Sequence, residues 1–194
     1  MAMAMGGHMR SDRQVVARAM EGFANHYAKG DPTEILKAGR PLRLSPTHSR
    51  CEAAGAVFEP VLGWEIPAWF APGGETQDEA IAQERAAAIG AAAIFDLGSL
   101  AKFHLMGSGA REALEAMATA AIGGPGRAAR TLFLGKRGGV QADVTVVSLG
   151  ETDHIVLAPA ARATLLGAHI SREIAGRDAV ISLDVSAGYG ALGP

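Results

Sequence analysis

Lys102 and His104, two residues apart, are the first side chains in this chain whose types and spacing suit chemistry. They lie in Lys102-Phe103-His104-Leu105-Met106, which alternates as a strand. Period two puts Lys102 and His104 on one face and Phe103 and Leu105 on the other. The pair can line a pocket together, and two ordinary residues on a half-exposed face is the competing reading. Gly107-Ser108-Gly109 follows and precedes a helix. Free backbone donors in such a turn can hold a phosphate, but no other part of a phosphate loop is present, so a plain turn with Ser108 as the helix cap is expected. Cys51 is the single cysteine, which excludes an intrachain disulfide and a multi-cysteine metal site. With no His-Asn or His-Asp partner standing out for it, Cys51 reads as a small buried apolar residue in a reducing, cytoplasmic setting. Trp64 and Trp69 read as packing residues with the ring nitrogen bonded to a carbonyl, with ligand contact as the alternative.

The elements that must position these residues belong to a globular chain. Its 194 residues, 48% of them hydrophobic, suffice for one domain with a sizeable core or for two small lobes sharing one. The formal net charge of −2 gives no electrostatic reason to expect nucleic acid or an anionic membrane as a partner. No apolar run approaches the roughly 20 residues that span a bilayer. Residues 1–12 lack a basic leader and a long apolar segment, and are expected to form a leader or flexible terminus outside the fold.

From Gln14 to Lys29, Val16, Ala19, Met20, Phe23 and Tyr27 mark one face of an amphipathic helix, expected to dock on another surface and to stop at Gly30-Asp31-Pro32. Between residues 33 and 74 periodicity disappears and prolines punctuate the chain. This predicts an extended wrap anchored by Phe58, Trp64, Trp69 and Phe70. Residues 13–75 are thus read as helix plus wrap, and 76–194 as the main domain. Thr76-Gln-Asp-Glu79 is a capping box for a helix to about Ala91, with Ile81, Ala88, Ile89 and Ala92 on its packed face. A second helix presents Ala110, Ala113, Leu114 and Met117. Residues 130–134 and 140–149 form a hairpin, with Val140, Ala142, Val144 and Val146 buried. Residues 155–158 form a short strand, and a helix through Leu166, Ile170 and Ile174 leads to a last strand over 179–185. The tail from Ser186 has no packing pattern of its own. The succession strand, helix, strand, strand, helix, strand predicts an α+β fold, a ferredoxin-like split β-α-β unit with an antiparallel sheet, preceded by the N-terminal helix and proline-rich wrap. No metal-ligand cluster is evident.

Several segments together resemble the folate-binding domain of the glycine-cleavage T-protein family, above all the version at the C-terminal end of dimethylglycine and sarcosine dehydrogenases. They are Arg40-Pro-Leu-Arg-Leu-Ser-Pro46, Gly55-Ala-Val-Phe58, Gly63-Trp-Glu-Ile-Pro-Ala-Trp-Phe70, Phe95-Asp-Leu-Gly98 with Lys102-Phe103, Arg137-Gly-Gly-Val140 with Asp143 and Thr145-Val146, and the tail from Asp184 to Pro194. The resemblance covers roughly residues 40–194 and the first half of a T-protein unit. It implies tetrahydrofolate as the one-carbon acceptor, with no metal and no flavin site in this chain, and Asp96, Lys102, His104, Arg130 and Asp143 as suppliers of charge and hydrogen bonds. The family's carboxylate near the folate amine falls on Ala121, which cannot accept a proton. The family's Tyr-Thr and Leu-Asn-Glu positions read Arg130-Thr131 and Leu134-Gly-Lys136. Three expectations follow: a folate-binding, aminomethyltransferase-like domain linked to methylamine oxidation; a non-catalytic subunit completing a flavoprotein partner or a homo-oligomer; or a cavity reused for another small molecule.

Overall fold

A computed structural model describes residues 11–27, 37–177 and 179–193. The chain divides into two compact units, one ending at Asp96 and the other running from Leu97 to Gly193. Among the described residues no helix is long and apolar enough to cross a membrane.

In the first unit α1 (Asp12–Tyr27) forms as its periodicity predicts, but with its polar side inward. Gln14 Nε2 donates to the Pro41 carbonyl at 3.0 Å. The Glu21 carboxylate accepts from the Lys37 and Ala38 amides at 2.7 Å each, and Arg18 is buried. The stripe expected to dock, Val16, Met20, Phe23 and Tyr27, is exposed. The expected stop at Gly30 to Pro32 lies outside the described residues.

The expected extended wrap is instead a short helix, α2 (His48–Ala53), and an antiparallel hairpin of β1 (Ala56–Val61) and β2 (Trp64–Phe70). Leu62 and Gly63 turn it, both at positive φ, the two-residue geometry that matches strand twist. A leucine there hides the turn from a sequence pattern, and Pro60 and Pro67 hide the strands; a two-stranded ribbon has free edges that tolerate them. Trp64 is buried with the Arg43 guanidinium 4.2 Å above its ring, a packing role. The buried Glu65 carboxylate accepts from Arg40 Nε at 3.0 Å.

Helix α3 (Gln77–Gly90) begins at the expected box, where the Glu79 carboxylate accepts from the Thr76 amide at 3.0 Å and the Thr76 hydroxyl at 2.7 Å. These bonds, the hydroxyl's first, hold Glu79 below the usual carboxylate range. Its expected packed face is not packed: Ile81 and Ile89 are exposed, and of the helix only Ala80 is buried. Alanine favours helix without demanding burial, so its frequency says little about which side faces inward. A two-residue strand, β3 (Phe95–Asp96), closes this unit.

The second unit holds β4 (Ala101–Met106), α4 (Ala110–Met117), β5 (Ala128–Leu134), β6 (Val140–Gly150), β7 (Asp153–Ala158), a 3-10 turn (Ala160–Arg162), α5 (Ala163–Ile174), β8 (Ile181–Asp184) and β9 (Leu192–Gly193). It is α+β, with five antiparallel strands in the order β5-β6-β7-β4-β8. The expected succession named four strands, yet all five segments read as strands from the sequence are present, residues 155–158 within β7. Connection β7-α5-β8 joins the two strands that flank β4, and β4-α4-β5 joins strands separated by β7 and β6.

Alternation decides the buried side. Phe103 and Leu105 of β4, Ala142, Val144 and Val146 of β6, and Val156 and Ala158 of β7 pack with Ala110, Ala113, Leu114 and Met117 of α4 and Leu166 and Ile170 of α5 in one core. Val140, expected inside, is exposed. Gly109 rather than Ser108 occupies the N-cap of α4. The tail also packs: Ser186 is buried, donates to the Asp184 carboxylate at 2.5 Å and accepts from the Lys102 amide at 2.9 Å.

Two histidines lie within this core. His154 Nδ1 is 3.1 Å from Ser148 Oγ, and that hydroxyl donates to the Gly123 carbonyl at 2.8 Å. The hydroxyl proton is therefore committed, and Nδ1–H is the donor to Ser148. Burial first, then Arg111, pushes His154 below the ordinary histidine value, against Glu151 and Asp153. Burial also lowers His169, with Arg172 assisting and Glu173 and a hydrogen bond to the Leu134 backbone opposing. In the unfolded chain both rings take up protons near the ordinary value of 6.5, while in the folded chain they resist. The unfolded state therefore binds more protons in acid: their contribution is complete above pH 6.5 and is lost as pH falls below it. Urea midpoints are expected to be lower at pH 5.5 than at pH 7.5. The double variant His154→Gln, His169→Gln should narrow that gap, and an unchanged gap would reject the assignment.

Candidate functional site

The sheet face away from the helices carries residues in rows set by strand register. Arg130, Thr145, Leu157 and Lys102 stand opposite one another across four strands. Ala128, Val147, Ile155, His104 and Leu183 form the next row across five. Lys102 and His104 therefore share a face, as alternation predicts.

Their chemistry differs from that expectation. Lys102 is 1% exposed, and its Nζ donates to the carbonyls of Gly98 at 2.8 Å, Leu100 at 2.9 Å and Ser186 at 3.2 Å. Its ammonium ties the start of β4 to the tail and does not reach an open pocket. His104 is half-buried, with Nε2 in close contact with the Asp153 carboxylate. The Tyr189 ring stands edge-on to it, centroids 6.3 Å apart. A carboxylate on one ring nitrogen fixes the orientation of an imidazole and leaves the other nitrogen for proton exchange.

Arg130 and Asp143 form a two-pronged pair across β5 and β6, Nε to Oδ1 at 3.2 Å and NH2 to Oδ2 at 2.6 Å. Each partner accounts for the other's shift: the Arg130 hydrogen bond lowers Asp143, and Asp143 raises Arg130. Both are solvent-exposed, so the pair adds little to stability. Arg130 lies on β5 and His104 on β4, three strand spacings apart, roughly 14 Å. The two charged pairs cannot act on one atom. They bracket a floor of Thr145, Val147, Ile155 and Leu157.

Asp96 belongs to the first unit. It accepts from the Thr47 hydroxyl at 2.8 Å and the Ser45 hydroxyl at 3.1 Å. Cys51 is half-buried rather than buried, and burial first, then Asp96, pushes its thiol up, against a hydrogen bond from Thr47. That direction opposes thiolate chemistry. Ala121 is exposed in the loop after α4, which is held because the Thr131 hydroxyl accepts from the Thr119 and Ala120 amides at 3.1 and 3.0 Å.

Sequence reasoning missed Asp153, Tyr189, Ser186, Ser45 and Thr47. Asp153 is 49 residues from His104, and only the pairing of Met106 with Asp153 brings them together. Among the described residues no group of three or more His, Cys, Asp or Glu is placed to hold a metal ion.

Residues 47–193 match the family described as the GCVT N-terminal domain. The chain belongs to that family. Its similar relatives include the 4-methylaminobutanoate oxidase (formaldehyde-forming) of Paenarthrobacter nicotinovorans, 32% identical over 96% of this chain and 24% of that protein. The mitochondrial sarcosine dehydrogenase of Homo sapiens is 30% identical over 76% of this chain and 20% of its own length. An aminomethyltransferase of Saccharopolyspora erythraea is 35% identical over 69% of this chain and 35% of its own length. The chain thus spans about a fifth to a third of these relatives. In structure it is similar to the glycine cleavage system aminomethyltransferase T of Bartonella henselae, with TM-score 0.58 and 24% identity over 73% of this chain and 38% of that one, a likeness of fold. The expected relation to aminomethyltransferases and to sarcosine-type dehydrogenases therefore holds, as does the partial coverage of the family unit.

Proposed function

We propose that this GCVT-family domain binds tetrahydrofolate for one-carbon chemistry linked to oxidation of N-methylated amines. The observation that carries the reading is the joint similarity to aminomethyltransferases and to an oxidase and dehydrogenase of methylated amines. The open sheet face suits such a ligand. Its apolar floor of Val147, Ile155 and Leu157 accepts a flat ring, Tyr189 flanks it, and the Arg130–Asp143 and His104–Asp153 pairs offer charge-assisted hydrogen bonds at either end. Tetrahydrofolate, when bound, supplies the nitrogen that takes up the one-carbon unit. His104, oriented by Asp153, holds or passes a proton at its free ring nitrogen. Arg130 positions an anionic or carbonyl group. Ala121 supplies neither base nor charge, so efficient aminomethyl transfer is not part of the reading.

Calorimetry tests it. Saturable tetrahydrofolate binding is expected, weakened roughly tenfold by Arg130→Ala or His104→Ala, each equivalent to one charge-assisted hydrogen bond. Absence of binding at high micromolar ligand sinks the proposal.

A second reading, a subunit-like role, is favoured by α1. Its exposed stripe lies outside the family match over 47–193, yet inside the oxidase match, because 96% coverage leaves fewer residues unmatched than the 16 of α1. A stripe shared with the oxidase but outside the family domain suits packing on an amine-oxidising flavoprotein portion. Mixed with the oxidase portion of the Paenarthrobacter relative, the chain is expected to form a complex by light scattering that Phe23→Glu abolishes. Two unassociated species would reject it.

A further inference from the structure

Where β5 and β6 join, the chain leaves a pocket of about 370 Å³ against α5. Gly135, Lys136 and Gln141 line it from the hairpin side, and His169, Arg172 and Glu173 from the helix. The helical three are spaced i, i+3 and i+4, the spacing that shares a face. None of the six is among the residues assigned to the folate reading, so the inference stands apart from it.

His169 is 3% exposed, and its Nε2 makes no hydrogen bond among the described residues. A hydrogen bond to the Leu134 backbone takes the other ring nitrogen, so in the neutral ring that nitrogen carries the proton and Nε2 keeps a lone pair. Lys136 and Arg172 are exposed and form no ion pair among the described residues. Two permanent cations thus face one carboxylate, Glu173. Gly135 has its own part: a Cβ there would come within 2.9 Å of Gln141 Nε2, so the missing side chain leaves the amide its place in the wall.

We propose that this pocket binds a small oxyanion, carboxylate or phosphate, between Lys136 and Arg172, with the Gln141 amide as a neutral donor and the His169 ring as a buried part of the wall. The guanidinium offers a planar fork that matches either anion, and the ammonium adds a point charge. Glu173 repels negative charge, which favours a singly charged carboxylate over a doubly charged phosphate. The volume falls within the range of small-molecule sites and exceeds what one water needs. Burial keeps the His169 ring uncharged near neutral pH, so it is no third cation, and its resonances report what enters the pocket beside it.

The test is an NMR titration of the full chain with sodium acetate, inorganic phosphate and sodium chloride at constant ionic strength. The His169 ring resonances, assigned by their loss in His169→Gln, are the readout. Acetate or phosphate is expected to shift them saturably while chloride does not, and the tighter of the two assigns the ligand class. The double variant Lys136→Ala, Arg172→Ala should weaken binding roughly tenfold or more with far-UV circular dichroism unchanged. A shift that is linear, reproduced by chloride or undiminished in the double variant overturns the site. Should that variant fail to fold, Glu173→Gln is the second measurement: acetate binding about threefold tighter supports the site, and unchanged or weaker binding overturns it.

Discussion

Lys102→Met is expected to lower unfolding stability by about 3 kcal/mol, because three carbonyls lose a shared donor inside the protein. The gross loss is larger. The Gly98, Leu100 and Ser186 carbonyls each receive a hydrogen bond from Nζ, the farthest at 3.2 Å, and each buried acceptor left bare costs roughly 1–3 kcal/mol. Against this, methionine need not be desolvated as an ammonium must, and it fills nearly the same space. The difference is what urea denaturation reads. Because Lys102 also holds the tail to β4, hydrogen exchange should accelerate at Val185, whose amide donates to the Lys102 carbonyl at 2.9 Å. Arg130→Ala, which removes an exposed guanidinium, should cost far less. Equal losses in the two variants would return Lys102 to the status of a surface residue.

That lysine marks the limit of what local pattern reveals. Alternation places Lys102 beside His104 on one face, and register agrees. What Lys102 does there depends on Ser186, 84 residues later, and what His104 does depends on Asp153, 49 residues later. Periodicity carries no information about such partners. The same holds in the first unit, where Asp96 meets hydroxyls 49 and 51 residues earlier.

Elements whose burial is decided by their own sequence were legible. The face of α4 is the one its spacing predicts, Ala110, Ala113, Leu114 and Met117, because a two-turn helix over a sheet has one apolar side to bury. Strands β5, β6, β7 and β8 fall near the expected segments for the same reason. The first unit was harder. In α1 the side chains with backbone groups to bind, Gln14 and Glu21, turn inward and the apolar stripe turns out. In α3 an alanine-rich surface leaves facing undetermined, and in the β1–β2 hairpin a leucine occupies a turn position usually given to glycine or asparagine.

Gly107→Ala is expected to be the most damaging single substitution in the second unit, at about 4 kcal/mol or outright failure to fold. Gly107 sits at φ +121° between β4 and α4, a backbone conformation that side-chain-bearing residues rarely adopt. A Cβ there would lie 1.9 Å from the Ala179 carbonyl oxygen and 2.8 Å from its carbon. The obstacle is backbone, so no rotamer can relieve it. Either Ala179 withdraws, taking Val180 out of the core and β8 off β4, or the β4–α4 turn opens. Gly138→Ala separates this clash from conformational strain. Gly138 has φ +78° but nothing within 4 Å of the added carbon, so only the left-handed cost of roughly 1–2 kcal/mol applies. Urea denaturation of both variants decides the matter. A much larger loss at Gly107, with fast hydrogen exchange along β8, supports the close approach, and equal losses would mean that the turn moves without disturbing Ala179.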